Sequence, residues 1–335
     1  MVKHSFWNHC LRQLTVTPAK RRASASLTRA TQEWLAKSAS APPPLPEQPD
    51  VSYTYTNQVT LEQLYRFFGR HFAADPISDW CLSALPSTLL SKQSIADVVE
   101  YKLRPYIYRA CLTQDPMVIA KIKRRTASSP HDVDDNDIVA MLLVIVHDAA
   151  SDTWWTDRIE HGLTRWLEWN DSYGQNNIPQ VYTDPKYQHD VLQFERKRRA
   201  YLDELEDWYR TTVPQTSTYW APMFLAVASS HRTQGADANE KKSAARPTTS
   251  TTMSHGRDMV TRLTQVADAQ HMDLWIDCAG RTLQRYYERL GFVVVDRKRI
   301  PSPTMRAGND FQEPLDLILM CRPHNKNHAV AAAIE

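Results

Sequence analysis

The chain has 335 residues, of which 42% are hydrophobic, and its formal net charge at pH 7 is +2. This length and composition suffice for one large domain or two small ones with a sizeable core. The near balance of charge gives no whole-protein argument for a nucleic-acid partner or an anionic membrane. No apolar run approaches the roughly 18 residues of a membrane span.

The cysteines indicate free thiols. The five cysteines are Cys10, Cys81, Cys111, Cys278 and Cys321. They form no CxxC pair and have no histidine at the spacing of a zinc site. We therefore predict a reducing, cytoplasmic environment and no metal site.

The first fifty residues predict a disordered tail. Residues 1–32 are basic, contain no acidic residue and are rich in Ser, Thr and Ala. Two interpretations stay open, a mitochondrial presequence and a basic tail without a targeting role. Residues 41–50, "APPPLPEQPD", suit neither a helix interior nor a strand interior and indicate a linker. The folded part is therefore expected to begin near Val51.

The next elements follow from local patterns. Residues 51–60 alternate and are rich in β-branched and aromatic side chains, which predicts a strand. Residues 61–72 have helical apolar spacing, and Asp75 followed by Pro76 predicts the cap and first residue of another helix. The runs 117–124 and 138–148 predict strands, the second buried on both faces because it is almost entirely apolar.

The middle of the chain predicts a helical insertion at 153–211. Six of the ten tryptophans lie between Trp154 and Trp220. We expect them to form an apolar wall beside a ligand, with ordinary core packing as the alternative. Residues 223–230 predict a strand, and 236–255 lack the apolar content to form a core and predict a flexible loop.

The C-terminal part begins with an amphipathic helix predicted at 256–271. Residues 274–295, "LWIDCAGRTLQRYYERLGFVVV", then predict a strand, a short helix and a second strand. Residues 314–323, "PLDLILMCRP", predict a last strand, and 324–335 are expected to be a tail.

From Val51 to Pro323 this order of elements resembles the GNAT superfamily of N-acetyltransferases, in the long form common among fungal proteins. The motif "YERLGF", Tyr287 to Phe292, is the closest match, and "HFAADPISDW" resembles a segment of the family's first helices. The resemblance implies an α/β fold with a central mixed sheet flanked by helices. It also implies an acetyl-CoA-dependent transferase acting on a small-molecule acceptor, with a link to secondary metabolism and no nucleic-acid or membrane partner. The oligomeric state stays open.

The resemblance implies a cofactor site after the strand at 223–230. The family's pyrophosphate loop reads [Q/R]-x-x-G-x-[G/A], and Arg232 and Gly235 fit its first half. Gly256 and Arg257 fit its second half at the start of the next helix, but 20 residues separate the two glycines. A helix N-terminus that begins in such a loop suits pyrophosphate.

The strand before this loop is expected to contact the cofactor through its backbone. The resemblance implies that Leu225, Ala226 and Val227 lie along the cofactor and that one of their N–H groups polarises the thioester carbonyl. Pro222 cannot donate to a ladder, so we predict a bulge there, at which two strands diverge.

The catalytic residues are less clearly marked. The resemblance implies that Tyr287 protonates the departing thiolate, and the alternative is a packing tyrosine. The general base has two candidate positions, Asp277 at the end of one strand and His147 with Asp148 at the end of another. Cys278 is interpreted as a small buried side chain.

A second function stays open. The protein could have the fold without acetyl transfer and use an aromatic cleft for another reaction on, or binding of, a secondary-metabolite-like ligand. The split loop favours this alternative. So does Asp258 near the helix start, because a carboxylate there is expected to repel pyrophosphate.

Overall fold

The computed structural model describes residues 18–39, 51–73, 75–86, 92–113, 116–125, 135–148, 162, 178–213, 218–228, 255–301 and 314–324. These residues form one seven-stranded mixed sheet in the order β1-β2-β3-β4-β5-β7-β6. Every neighbouring pair is antiparallel except β4 and β5, which run parallel. The predicted α/β class with a mixed sheet flanked by helices is confirmed.

The strands are β1 Val51–Thr56, β2 Met117–Arg125, β3 Ile138–Asp148, β4 Thr218–Val227, β5 Asp273–Ala279, β6 Val293–Ile300 and β7 Leu315–Arg322. The helices are α1 Pro18–Ala39, α2 Leu61–Phe72, α3 Pro76–Leu82, α4 Lys92–Thr113, α5 Gln180–Thr183, α6 Gln188–Thr212, α7 His255–Ala269 and α8 Arg281–Glu288. A short 3-10 turn, Pro185–Tyr187, leads into α6. None of the helices in the described ranges is both long and apolar enough to cross a membrane.

Helix α1 corrects the expectation of a disordered tail before Val51. Leu27, Ala30 and Trp34 are almost completely buried, and they pack against one face of the sheet and against α7. Their spacing of three and four residues places them on one side of the helix, which buries an apolar stripe that the tail's basic composition concealed. Residues 1–17 and the linker at 40–50 lie outside the described residues.

Helix α4 was missing from the sequence prediction. It spans 22 residues and contains Pro105. A proline inside a helix removes one backbone hydrogen bond, so it argues against a continuous helix when only sequence is available. Packing against α2 supplies the compensation, since Arg104 of α4 is buried and pairs with Glu62 of α2 at 3.0 Å and with Glu100 at 2.5 Å.

Two hydrophobic layers enclose the sheet. On one face lie α2, α3, α4 and α6, and on the other lie α1, α7 and α8. Strand β3 is central and its residues 138–146 are all buried, as its apolar run predicted. The helices of the two layers therefore approach the sheet from opposite sides.

The sheet opens between β4 and β5. The two strands pair only where Tyr219 meets Asp273 and Trp220 meets Leu274. Further along β4, the register between β3 and β4 shifts: Pro222 pairs with Val144 and Phe224 pairs with Leu143, so Met223 is an extra residue. This bulge confirms the prediction made from Pro222. A bulge increases the bend of its strand, which explains why β4 leaves β5 at this point.

Candidate active site

The gap between β4 and β5 exposes backbone groups on β4. The amide of Ala228 donates to the carbonyl of Val139 on β3 at 2.9 Å. Because N–H groups alternate sides along a strand, the amide of Ala226 also points towards β3, and those of Leu225 and Val227 point towards the gap. Of the three predicted residues, Leu225 and Val227 direct their amides to the gap side of β4, and Ala226 directs its amide towards β3.

The N-terminus of α7 meets the end of β4 beside this gap. Gly256 is buried in the first turn of α7. A β-carbon at this position would lie 3.2 Å from a methyl group of Val227 and 3.5 Å from the hydroxyl of Tyr286. Arg257 is exposed in the same turn. Arg232, Gly235 and the predicted loop up to residue 254 lie outside the described residues.

Asp258, in the first turn of α7, belongs to an ion-pair cluster. Its carboxylate lies 2.6 Å from the Lys121 ammonium and 3.1 Å from the Arg262 guanidinium, and it accepts a hydrogen bond from Tyr55. Burial by itself raises the pKa of Asp258, but the bonds from Lys121 and Tyr55 outweigh burial and lower it. Two cations offset the charge of this carboxylate, which removes the reason to expect that it repels pyrophosphate.

Asp277 lies on β5 and projects towards α6. Tyr209 donates to one carboxylate oxygen at 3.0 Å, and Tyr201 lies 3.4 Å from the other. Burial raises the pKa of Asp277, and the two hydrogen bonds oppose this effect only in part. Within the described part of the chain, no lysine, arginine or histidine pairs with Asp277. Among the described residues, Asp277 is thus a carboxylate in a largely buried position that no cation pairs with.

Several side chains around Asp277 are deep in the protein and still reach solvent. Burial is the main cause of the raised pKa values of Tyr201, Tyr209 and Tyr287. Each of these residues, like Asp277, nevertheless keeps part of its surface accessible. Groups that are both deep and accessible line a cleft, as ligand sites do.

Tyr287 approaches the site from the other face of the sheet. Its ring packs against Tyr286 and Phe292 at centroid distances of 5.0 and 5.4 Å. No group in the described ranges hydrogen-bonds its hydroxyl. Cys278 is buried nearby, and burial together with the charge of Asp277 raises its pKa to about 12. The thiol is therefore protonated, as expected of a packing cysteine.

Asp75, which the sequence assigned to a helix cap, also has a charge that acts on groups around Asp277. Its carboxylate caps α3 by accepting from the Ile77 amide at 2.9 Å. The same charge contributes to the raised pKa values of Tyr201, Tyr287 and Cys278. The N-terminus of α3 therefore lies near these three groups.

His147 does not join Asp277. It pairs with Tyr219 across the sheet, and their rings stack at 5.2 Å and 14°. Tyr219 is level with Asp273, four residues before Asp277, which corresponds to about 13 Å along the strand. The side chain of Asp148 lies outside the described residues. The structure thus keeps apart the two candidate positions for the base.

Of the six tryptophans in the predicted aromatic wall, Trp208 of α6 and Trp220 of β4 lie within the described residues, and Trp220 is completely buried in the layer of α1 and α7. Helix α6 places Tyr201 and Tyr209 in the cleft. Trp208, in contrast, is buried and donates its indole N–H to Asp296 of β6 at 2.6 Å. The tryptophans between 154 and 169 lie outside the described residues.

Tyr201 and Tyr209 are not among the site residues predicted from the sequence. A signal was present, because Lys197, Tyr201, Leu205 and Tyr209 recur every four residues and share one face of α6. The pattern identifies a buried face. It contains no information about the carboxylate that this face meets on β5.

No protein-family model matches the chain, and no curated protein matches it by sequence. Among solved structures, arylalkylamine N-acetyltransferase 2 from Aedes aegypti is similar over 82% of this chain and 100% of its own, with 11% identity and a TM-score of 0.43. A polyamine N-acetyltransferase from Drosophila melanogaster is similar over 82% and 100%, with 14% identity and a TM-score of 0.35. The C-terminal condensation domain of Ebony is similar over 82% and 98%, with 8% identity and a TM-score of 0.39. At such values these likenesses carry no argument about activity.

Proposed function

We propose that the protein is an acyl-CoA-dependent N-acetyltransferase that acts on a small-molecule amine. The observation that carries the proposal is the Asp277 carboxylate, which lies at the opening between β4 and β5 and has no cation among the described residues. An uncompensated carboxylate in a cleft is costly unless a ligand supplies the positive charge. An ammonium group is the simplest such ligand.

Asp277 is the proposed general base. An amine is protonated at physiological pH and must lose a proton before its nitrogen attacks a thioester carbonyl. The raised pKa of Asp277 brings its basicity closer to neutral pH, which makes a carboxylate a more effective proton acceptor. In this proposal Asp277 first pairs with the ammonium group and then accepts its proton.

The other groups around the gap complete the proposed reaction. The amide of Leu225 faces the position for a thioester and hydrogen-bonds its carbonyl oxygen or the pantetheine arm. As the new C–N bond forms and the C–S bond breaks, Tyr287 donates its proton to the departing thiolate. The nitrogen then loses its second proton, which restores the Tyr287 hydroxyl directly or through solvent. Burial raises the pKa of Tyr287, so the hydroxyl remains protonated and available for this step.

The proposed acetyl-CoA site begins at α7. Acetyl-CoA supplies the acetyl group, and the N–H groups of the first turn of α7 suit its pyrophosphate. Gly256 fits this role because a side chain there would occupy the space between Val227 and Tyr286. Arg257 adds positive charge in the same turn. We propose that Arg232 and Gly235 complete a split loop.

The first experiment measures binding and transfer together. Calorimetric titration of acetyl-CoA into the full chain is expected to show binding, and thiol release with a panel of primary amines is expected to show turnover. Asp277→Asn is expected to lower the transfer rate by about 10²-fold or more. Asp273→Asn, on the same strand but paired with His324, serves as the matched control.

The results of these experiments distinguish an acetyltransferase from a protein that uses the same fold for another ligand. Absence of acetyl-CoA binding to a well-folded chain contradicts the proposal and leaves a protein of this fold that binds or converts another ligand. Replacing residues 236–254 by one residue tests the split loop. Binding that appears only after this deletion would show that the insertion closes the cofactor site.

A further inference from the structure

Helix α6 supplies one hydroxyl to each oxygen of the Asp277 carboxylate. Tyr209 lies 3.0 Å from Oδ1 and Tyr201 lies 3.4 Å from Oδ2. The two tyrosines are eight residues apart, so they extend from the same face of the helix about two turns from each other. The two hydroxyls approach the carboxylate from opposite ends, one at each oxygen, and this arrangement restricts rotation of the carboxylate.

The helix that carries these tyrosines is fixed on both sides of Asp277. Towards its N-terminus, the buried Lys197 ammonium donates to the Ser83 hydroxyl at 2.8 Å and to the Trp80 carbonyl at 3.2 Å. Towards its C-terminus, Trp208 donates to Asp296, and Glu204 pairs with Lys298 at 2.6 Å. Helix α6 thus connects α3 to the edge strand β6 and crosses β5 between them.

We infer that Tyr201 and Tyr209 are positioning residues that hold both oxygens of Asp277 and orient the remaining lone pairs of the carboxylate for the acceptor amine. A carboxylate oxygen accepts more than one hydrogen bond, so one tyrosine at each oxygen leaves capacity for the ammonium group. This inference rests on the proposed function for its catalytic consequence. The geometry on which it depends is independent of that function.

The two hydroxyls also set the basicity of Asp277. Burial raises the pKa of Asp277, while the hydrogen bonds from Tyr209 and Tyr201 lower it, the first more than the second. Among the described residues, the titratable groups that interact with Asp277 are Tyr201 and Tyr209 of α6, Cys278 of β5 and Tyr287 of α8. Charged groups on the packed elements include Asp75 before α3, Lys197 of α6, which is bonded to Ser83 and Trp80, and Arg297 of β6, which acts on Cys278. The side-chain hydrogen bonds that favour the ionised form of Asp277 come from the two tyrosine hydroxyls.

The experiment compares Tyr209→Phe, Tyr201→Phe and the double variant with wild type. The first readout is the titration of the Asp277 carboxyl by ¹³C NMR of aspartate-labelled protein, with the signal identified by its loss in Asp277→Asn. Tyr209→Phe is expected to raise the titration midpoint by about one pH unit. Tyr201→Phe is expected to raise it less, because its contact is longer. Tyr182→Phe is the control, because it removes a hydrogen bond from a tyrosine hydroxyl to Glu195 of α6 and leaves Asp277 and its two tyrosines unchanged.

The second readout is the pH dependence of acetyl transfer. The acid limb of kcat/KM is expected to shift upwards with the NMR midpoint, and kcat is expected to fall more than KM rises. An unchanged NMR midpoint in the double variant overturns the inference. A shifted midpoint in a protein whose wild type transfers no acetyl group contradicts the proposed function and leaves the positioning role intact. Loss of stability alone, without a shift, identifies the tyrosines as packing residues and also overturns the inference.

Discussion

The ammonium group of Lys121 lies 2.6 Å from a carboxylate oxygen of Asp258, although 137 residues separate them in sequence. The contact joins the first turn of α7 to β2, and Lys121 also lies over the rings of Tyr53 and Tyr55 at 5.5 and 5.4 Å. The ion pair therefore attaches the N-terminus of α7, the proposed pyrophosphate site, to strand β2 of the sheet.

The first prediction concerns this contact. Asp258→Asn is expected to lower the free energy of unfolding at pH 7 by about 2 kcal/mol, because Lys121 loses a partner in a mostly buried position. A depressed carboxyl pKa contributes stability above its unfolded value, 3.8, and loses it as the pH falls through the lower folded value. Urea unfolding between pH 7 and pH 2.5 should show a smaller loss on acidification in the variant. Asp203→Asn, at an exposed position, should match wild type.

The second prediction concerns Asp277, whose effect on stability depends on pH in the opposite direction to that of Asp258. The folded pKa of Asp277 is raised, so ionisation of this group disfavours the folded state as the pH rises through that value. Asp277→Asn is expected to raise the melting temperature at pH 8, and the gain should vanish as the pH falls to about 4. Thermal unfolding at several pH values measures the effect. A destabilised Asn variant at pH 8 would show that the carboxylate is needed for folding.

The third prediction concerns Tyr287. Replacement by Phe removes a hydroxyl that has no partner in the described ranges, so little change in stability is expected. The rate of acetyl transfer should fall by about 10²-fold if this hydroxyl protonates the thiolate. Single-turnover kinetics and thermal unfolding are measured on the same preparation, with Tyr187→Phe as a control. Full activity in a folded Tyr287→Phe protein would leave Tyr287 as a packing residue.

The fourth prediction concerns α1. Trp34 is 1% exposed, and Trp34→Ala is expected to cost about 3 kcal/mol of unfolding free energy. Removal of residues 1–39 should expose the apolar face that Leu27, Ala30 and Trp34 cover, and is expected to reduce solubility. Gln32→Ala changes an exposed position of the same helix and should unfold like wild type. A stable, monomeric chain that begins at Val51 would contradict the structural role of α1.

The sequence by itself determined the elements whose signals are local. The predicted bounds of α2 at 61–72 and β3 at 138–148 agree with the structure. Asp75 caps α3 and Pro76 begins it, as their order predicted. The strand–helix–strand unit at 273–300 is also observed. Each of its two turns contains a glycine with positive φ, Gly280 at 82° and Gly291 at 87°, and such glycines mark turns in the sequence. Caps, alternation and glycine turns act within a few residues, so a single sequence is sufficient to find them.

Only the tertiary structure decided which of these elements meet. Asp277 was a candidate because it ends a strand, but its partners Tyr209 and Tyr201 lie 68 and 76 residues earlier in the chain. Asp258 looked unfavourable for an anion until the fold placed Lys121 and Arg262 against it. The pKa of a carboxyl depends on the charges, donors and burial around it in three dimensions, and a sequence pattern specifies none of these. Helix periodicity identifies which residues share a face, whereas the partner of that face is decided by the packing of the whole chain.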